Sequence, residues 1–399
     1  MTPVTEKPLK PSWFHDGSWW MLAADAGDWR VYKRTDVDTW ESASSVLTSS
    51  ITSVDVHLHG SRVTWYGWHE MGRISYNGGS WVVDVAATSV PNIGGGGDSA
   101  AGGHLVVDGQ GRTWGFGDGS GEVRYFVRDT DLSALQGDTL LTADPPTTEH
   151  LSRSVVWDGK VGVLWDNQTV ERMRFIWRND TDALSTWQTI EDASANTADN
   201  ADDHGDIVPG PDGDLLAIWK TGLSGDADPI IRYARRTSAG SWVDETTVFS
   251  RFGSSPDNEY TRPRIAYDEA NDRLIVVAIE TFVPGLIRYR VSPRLSPSFG
   301  DVQTAIASST GDPTVPHHAV DDTSDLLVLA VDGGTLSEGV VAIDPSIDFA
   351  LELETVAEYD AVDFQLVSVV DVDDPANLSV VIDGTTAQLS WDASPLVPA

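Results

Sequence analysis

The side chains in this chain best suited to moving protons or holding anions are His104, His150 with Arg153, His204 with Asp206, Tyr260 with Arg262 and Arg264, and His317 with His318, a set that holds five of the nine histidines. A histidine titrates near neutrality and can act as a general base. Arginine neutralises a carboxylate through a planar fork of donors, and tyrosine can supply a proton. Such a set suits β-elimination from a uronate sugar, with His204, Tyr260 and Arg262 as the catalytic residues, or simple binding of an acidic sugar by the whole group. Glu149, Glu259 and Asp206 offer a different chemistry, the carboxylate pair of glycoside hydrolysis, which depends on a separation that spacing alone does not fix.

Metal chemistry fits less well. Asp199, Asp202, Asp203 and Asp206 crowd around His204, but the run lacks the D-x-D-x-D-G-x5-E spacing of a calcium loop. No dedicated metal or cofactor is expected, only nonspecific cations at Asp-rich loops. The pairs Asp36/Asp38, Asp129/Asp131 and Asp180/Asp182 read as hairpin turns in which Asp bonds its own backbone. With no cysteine in the chain, thiol nucleophiles, disulfides and Cys-ligated zinc are excluded. "GFGDGSG" at 115–121 reads as a strand connection and not as a phosphate loop.

The elements that must position these residues repeat. A turn of the form x-D-G, or a degenerate version, recurs at "FHDGS", "HLHGS", "VVDGQG", "VWDGK", "GPDGD", "YDEAND" and "VDDTSD", at intervals of 43 to 59 residues. A short apolar run follows each turn ("WWMLAA", "VTWYGW", "LLAIWK", "LLVLAV"), then an alternating one ("WRVYKR", "MRFIWR", "IRYARR"). Both have strand length and period. A fourth segment often opens with tryptophan: Trp40, Trp81, Trp187 and Trp242. Four short strands about every fifty residues predict an all-β fold, a seven-bladed β-propeller over residues 1–354. Residues 355–399 lack the blade pattern and form a short C-terminal β-segment for docking or oligomerisation. In a propeller the first strand of each blade lines the central channel. The histidine and arginine set stands at the entries to those strands and would converge on one mouth. Trp165, Trp219 and Trp242 fit packing between blades. Trp13, Trp19, Trp20, Trp65 and Trp68 crowd the first two blades, where exposed rings could stack on sugars.

Composition narrows the partners. The net charge of -35 comes from 61 acidic against 26 basic residues, with 46 Asp and only 5 Lys. So negative a surface opposes nucleic acid and anionic membranes. It also repels itself at low salt and is screened at high salt, the pattern of a protein adapted to a halophilic setting. No apolar run reaches 18 residues, so no membrane insertion is expected, and the N-terminal stretch has no apolar region of a secretory signal.

"GGHLVVDGQGRTWGFGD" with "VRYFVR", and "DDHGDIVPGPDGDLLAIW" with "IRYARR", resemble the BNR-repeat, sialidase-like propellers and the related seven-bladed polysaccharide lyases. That resemblance implies His, Tyr and Arg at the channel mouth, here His104, His204, Tyr260 and Arg262. The sialidase Asp-box is missing, and "SYNGGSW" at 75–81 is a degenerate echo of it. "PSWFHDGSWWMLAADAGDWRVYKR" is similar to propellers in tail and structural proteins of viruses that infect bacteria and archaea. This implies a virion-borne structural or adsorption protein of a halophilic archaeal virus. Its partners would be other virion proteins and a host surface glycan or glycoprotein, and it would be a homo-oligomer in the particle. The alternative is a carbohydrate-active enzyme, a lyase or sialidase-like hydrolase acting on acidic glycans.

Overall fold

A computed structural model of the chain describes residues 9–343, except 94–102, 142–152, 196–198, 253–258, 282–284 and a few single or paired positions, together with 378–383 and 386–391. The chain divides into two compact units, residues 1–345 and 346–399. The first is the seven-bladed propeller. Six blades are four-stranded antiparallel sheets in sequence order, and the seventh has three described strands. The inner strands of blades 1 to 7 are Ser12–His15, Asp55–His59, His104–Val107, Arg153–Trp157, Gly205–Pro209, Tyr260–Asp268 and Asp312–Thr314. In the second unit, Leu378–Asp383 and Thr386–Trp391 pair as an antiparallel hairpin.

The recurrent x-D-G turns join each inner strand to the second strand of its blade. Asp16 and Gly17 have φ of 50° and 68°, Asp158 and Gly159 43° and 67°, and Asp212 and Gly213 60° and 78°. Two successive left-handed residues make the tight hairpin whose twist matches the flanking strands, which is why Asp-Gly recurs there. In the degenerate turns Asp272 and Asp325 take the left-handed conformation themselves, at 49° and 51°; among residues with a side chain, Asp tolerates it well.

Second strands are mostly apolar along their middles because both faces are covered. Leu215–Lys220 is buried along its first five residues, and Trp65, Trp114, Trp165 and Trp219, all on second strands, are wholly buried. Buried apolar clusters fill the interfaces between consecutive blades, including the closure of blade 7 onto blade 1, where Met21 and Tyr32 pack with Val328 and Ala330. Outer strands such as Ala134–Leu140 are largely exposed.

Several sequence expectations change on folding. Trp13, Trp19, Trp20 and Trp65 are buried rather than open to sugars, because each lies against a neighbouring blade; Trp68 falls outside the described residues. Trp187 precedes the fourth strand of blade 4, Glu191–Asp192, instead of opening it, and packs edge-on against Trp114 and Tyr125 of blade 3. Asp36, Asp129 and Asp131 accept backbone amides within their own turns. Asp180 instead reaches blade 3 and accepts the Gly109 amide at 2.8 Å.

That last bond belongs to a wider pattern, since much of the chain's arginine bridges blades. Arg236 of blade 5 holds Glu191 of blade 4 with two bonds of 2.7 Å, and Arg294 of blade 6 meets Asp214 of blade 5 at 3.0 Å. Blade 1 reaches blade 7 through Arg34 and Glu338 at 2.8 Å. The planar fork of arginine suits such two-point contacts better than a lysine does.

Candidate functional site: the central channel and its rim

The inner strands bring side chains from six blades to the channel. Asp55 opens the inner strand of blade 2, His104 that of blade 3 and Arg153 that of blade 4. Asp206 and Arg264 lie within those of blades 5 and 6. His317 and His318 follow the inner strand of blade 7, Asp312–Thr314, rather than preceding it. This corrects their expected position, because the last blade's inner strand starts five residues earlier than the histidines do. Lys10, just before the inner strand of blade 1, completes the ring.

These groups are buried and bonded to one another. Arg153 Nη1 lies 3.2 Å from Asp55 Oδ1, and His317 Nε2 is also 3.2 Å from that oxygen. Arg153 Nη2 contacts the His317 ring. Lys10 Nζ sits 2.9 Å from Asp206 Oδ2. Each aspartate also pins the inner strand of the next blade: Asp55 Oδ2 accepts the Leu105 amide at 3.0 Å and Asp206 Oδ2 the Ile265 amide at 3.1 Å. Asp206, a candidate from the "DDHGD" run, is thus a buried strap between blades 5 and 6.

Protonation follows from this burial. Desolvation pushes the Asp55 carboxyl up, but Arg153, His317 and the Leu105 amide outweigh it and hold the group well below the usual carboxylate range. Burial lowers Lys10 to about 8 against the pull of Asp206. It also lowers His57 to about 4 and His104 to about 3, and takes His317 well below its ordinary value. The hydrogen bonds agree with neutral rings. His104 Nδ1 accepts the Ser154 amide at 3.1 Å. His318 Nε2 accepts the Phe14 amide of blade 1 at 2.8 Å while its Nδ1–H donates to the adjacent Ala319 carbonyl at 2.8 Å, so the local bond sets the tautomer that closes blade 7 onto blade 1.

At the rim burial is uneven: His204 and Tyr260 are buried and Arg262 is partly open. His204, Tyr260 and Arg262 come from adjacent blades at the same end of their inner strands, with Asp202, Lys220 and Glu259 nearby. Lys220 Nζ bridges Asp202 at 2.7 Å and Glu259 at 3.3 Å, and Arg251 holds the other Glu259 oxygen at 2.9 Å. Tyr260 is buried against Phe249 and Phe252, and desolvation followed by the charge of Glu280 raises its pKa. Arg262 keeps 33 % of its side chain exposed and pairs with Asp312 of blade 7 at 2.5 Å. Its backbone is left-handed, φ 53°, at a bulge where the pairing steps from Thr261↔Ile279 to Arg264↔Val277. A non-glycine residue held there costs on the order of 1–3 kcal/mol, and such outliers concentrate at functional sites. His150 and Glu149 lie outside the described residues.

Sequence reading missed Lys10, Asp55, His57 and Asp312. Asp55 had a usable signal, since it occupies the same first position of its inner strand as His104 and Arg153. Lys10 had only its rarity. Among the described residues no group of three or more His, Asp and Glu side chains is arranged to hold a metal.

No family model and no curated protein matches the chain. Solved structures do match. An ulvan lyase of polysaccharide lyase family PL25, bound to -[GlcA(1-4)Rha3S]-, aligns with a TM-score of 0.53 at 10% identity over 86% of this chain and 93% of its own. A putative 6-phosphogluconolactonase from Bacteroides uniformis aligns with a TM-score of 0.50 at 14% identity over 80% and 94%. A lectin from Aleuria aurantia aligns at 0.39 and 13% identity over 73% and 94%. At these identities the first two likenesses speak for the fold. The chain is an all-β protein of the propeller class, with seven blades.

Proposed function

We propose that this protein is a glycan-binding propeller that engages acidic sugars at the channel rim of blades 5 to 7. Arg262 carries the reading: its guanidinium is partly open to solvent, is held on a strained bulge, and faces one carboxylate that an incoming uronate or sulfate could replace. Among solved propellers of this shape, one is a lyase bound to a glucuronate-containing sulfated glycan. The buried histidines and arginines of the channel interior would then be scaffold. In keeping with the acidic surface and the similarity of its opening stretch, such a binder would be carried on the virion of a halophilic archaeal virus, in several copies, to attach to host surface glycans.

A second reading, a polysaccharide lyase, draws on His204, Tyr260 and Arg262 sharing one rim. Burial keeps Tyr260 protonated and so able to donate. Both readings are tested together in molar salt, with uronate-rich polysaccharides and a surface glycoprotein as ligands. Binding and the ultraviolet absorbance of unsaturated sugar ends are followed for the wild type and Arg262→Ala. Binding without new absorbance, at least tenfold weaker in the variant, is the expected result. Unsaturated ends that disappear in the variant would instead make the rim an active site. Absence of both binding and turnover would reject the rim as a glycan site.

A further inference from the structure

Among the described residues five ionic side chains are buried around the channel: Lys10, Arg153 and Arg264, and the carboxylates Asp55 and Asp206. Lys10 pairs with Asp206 and Arg153 with Asp55, while Arg153 Nε also comes within 3.8 Å of Asp206. With the neighbouring histidines neutral, one positive charge is left over, and it is that of Arg264. A guanidinium cannot shed its proton in a protein. Its Nη1 donates to the Pro263 carbonyl at 2.9 Å, but among the described residues Nε and Nη2 meet no hydrogen-bond partner although the residue is only 2% exposed.

The identity of the two open donors is informative. Nε and Nη2 form the side-on edge of the guanidinium, the fork that grips an anion with two parallel bonds. The nearest carboxylates lend charge to Arg264 without bonding it. Asp206 is held by Lys10 and by the Ile207 and Ile265 amides, and Asp312 by Arg262. A buried cation with no counter-ion in contact and two unmatched donors is strongly disfavoured. We propose that Arg264 holds a small monovalent anion, a halide or a small carboxylate, side-on through Nε and Nη2 inside the channel. The outer surface of a chain with net charge -35 repels anions, so the site fills in salt that screens this field. This inference is independent of the glycan reading.

The test is thermal unfolding of the whole protein at fixed molar ionic strength, with sodium gluconate replaced stepwise by chloride, bromide or formate. The expected result is a midpoint that rises and saturates with the small anion, absent in Arg264→Met. The order of chloride and formate tells which source suits the site. Crystals grown in bromide give a readout that does not need the variant to fold: an anomalous peak within hydrogen-bond distance of Arg264 Nε and Nη2 upholds the site. A water at that place, or a midpoint that stays where it was in gluconate whichever small anion replaces it, overturns it.

Discussion

Arg153 of blade 4 crosses the channel to Asp55 of blade 2, 3.2 Å away, passing over the blade between them. Asp55 also accepts the Lys10 amide at 2.8 Å and the Leu105 amide at 3.0 Å. One carboxylate therefore ties the inner strands of blades 1, 3 and 4 to blade 2. Asp55→Ala would leave buried Arg153 with only the longer contact from its Nε to Asp206 Oδ1, 3.8 Å away, a loss of about 3 kcal/mol, at the low end for broken buried pairs. Urea unfolding should show it. A variant within 1 kcal/mol of wild type, on the scale of a surface pair, would mean that water or another anion already neutralises Arg153.

Acid should destabilise the propeller early. His57 and His104 protonate near 4 and 3 in the folded chain, against about 6.5 when unfolded. Between those values the unfolded chain binds more protons, so stability falls as pH drops from about 6.5. Each unit of depression is worth about 1.4 kcal/mol, so the urea midpoint should decline clearly between pH 7.5 and 4.5. A flat midpoint over that range would contradict the neutral-histidine interior.

Closure of the ring has its own test. Glu338 of blade 7 accepts from Arg34 at 2.8 Å, the Trp40 indole at 3.0 Å and the Asp38 amide at 2.6 Å, all on blade 1. Glu338→Ala takes a buried acceptor from three donors at once and should cost about 2–4 kcal/mol, at roughly 1 kcal/mol or more per charged hydrogen bond. Hydrogen exchange should rise first in blades 1 and 7. Uniform exchange across all seven blades would show that the ring opens elsewhere.

Salt should stabilise the protein even without a specific anion. The net charge of -35 spreads over the surface, and raising the salt from 0.1 M to about 1 M shortens the screening length from about 10 Å to about 3 Å. In sodium gluconate the unfolding midpoint should therefore climb by several degrees over that range. A midpoint unmoved by gluconate would mean that the arginine bridges between blades already balance the acidic surface locally.

The repeat was legible from the chain alone because a propeller is made of local hairpins. Asp-Gly turns such as Asp158–Gly159, the apolar run that follows each, and their spacing of about fifty residues determine strands, blades and blade number without reference to anything distant. Sequence also located the inner strands of most blades, though not that of blade 7, and set His104, Arg153, Asp206 and Arg264 at their entries, converging on one mouth. It could not decide which of those residues pair, because the partners lie far apart in the chain and meet only when the ring closes, as Asp55 does with His317, 262 positions away. Nor could it separate rim from interior. Arg262 and Arg264 differ by two positions on one strand, yet a single bulge leaves the first partly in solvent, bonded to Asp312, and buries the second. That distinction, between a side chain open to a ligand and one enclosed with an unmatched charge, belongs to the tertiary structure, since burial is a property of what packs around a residue and not of the residue itself.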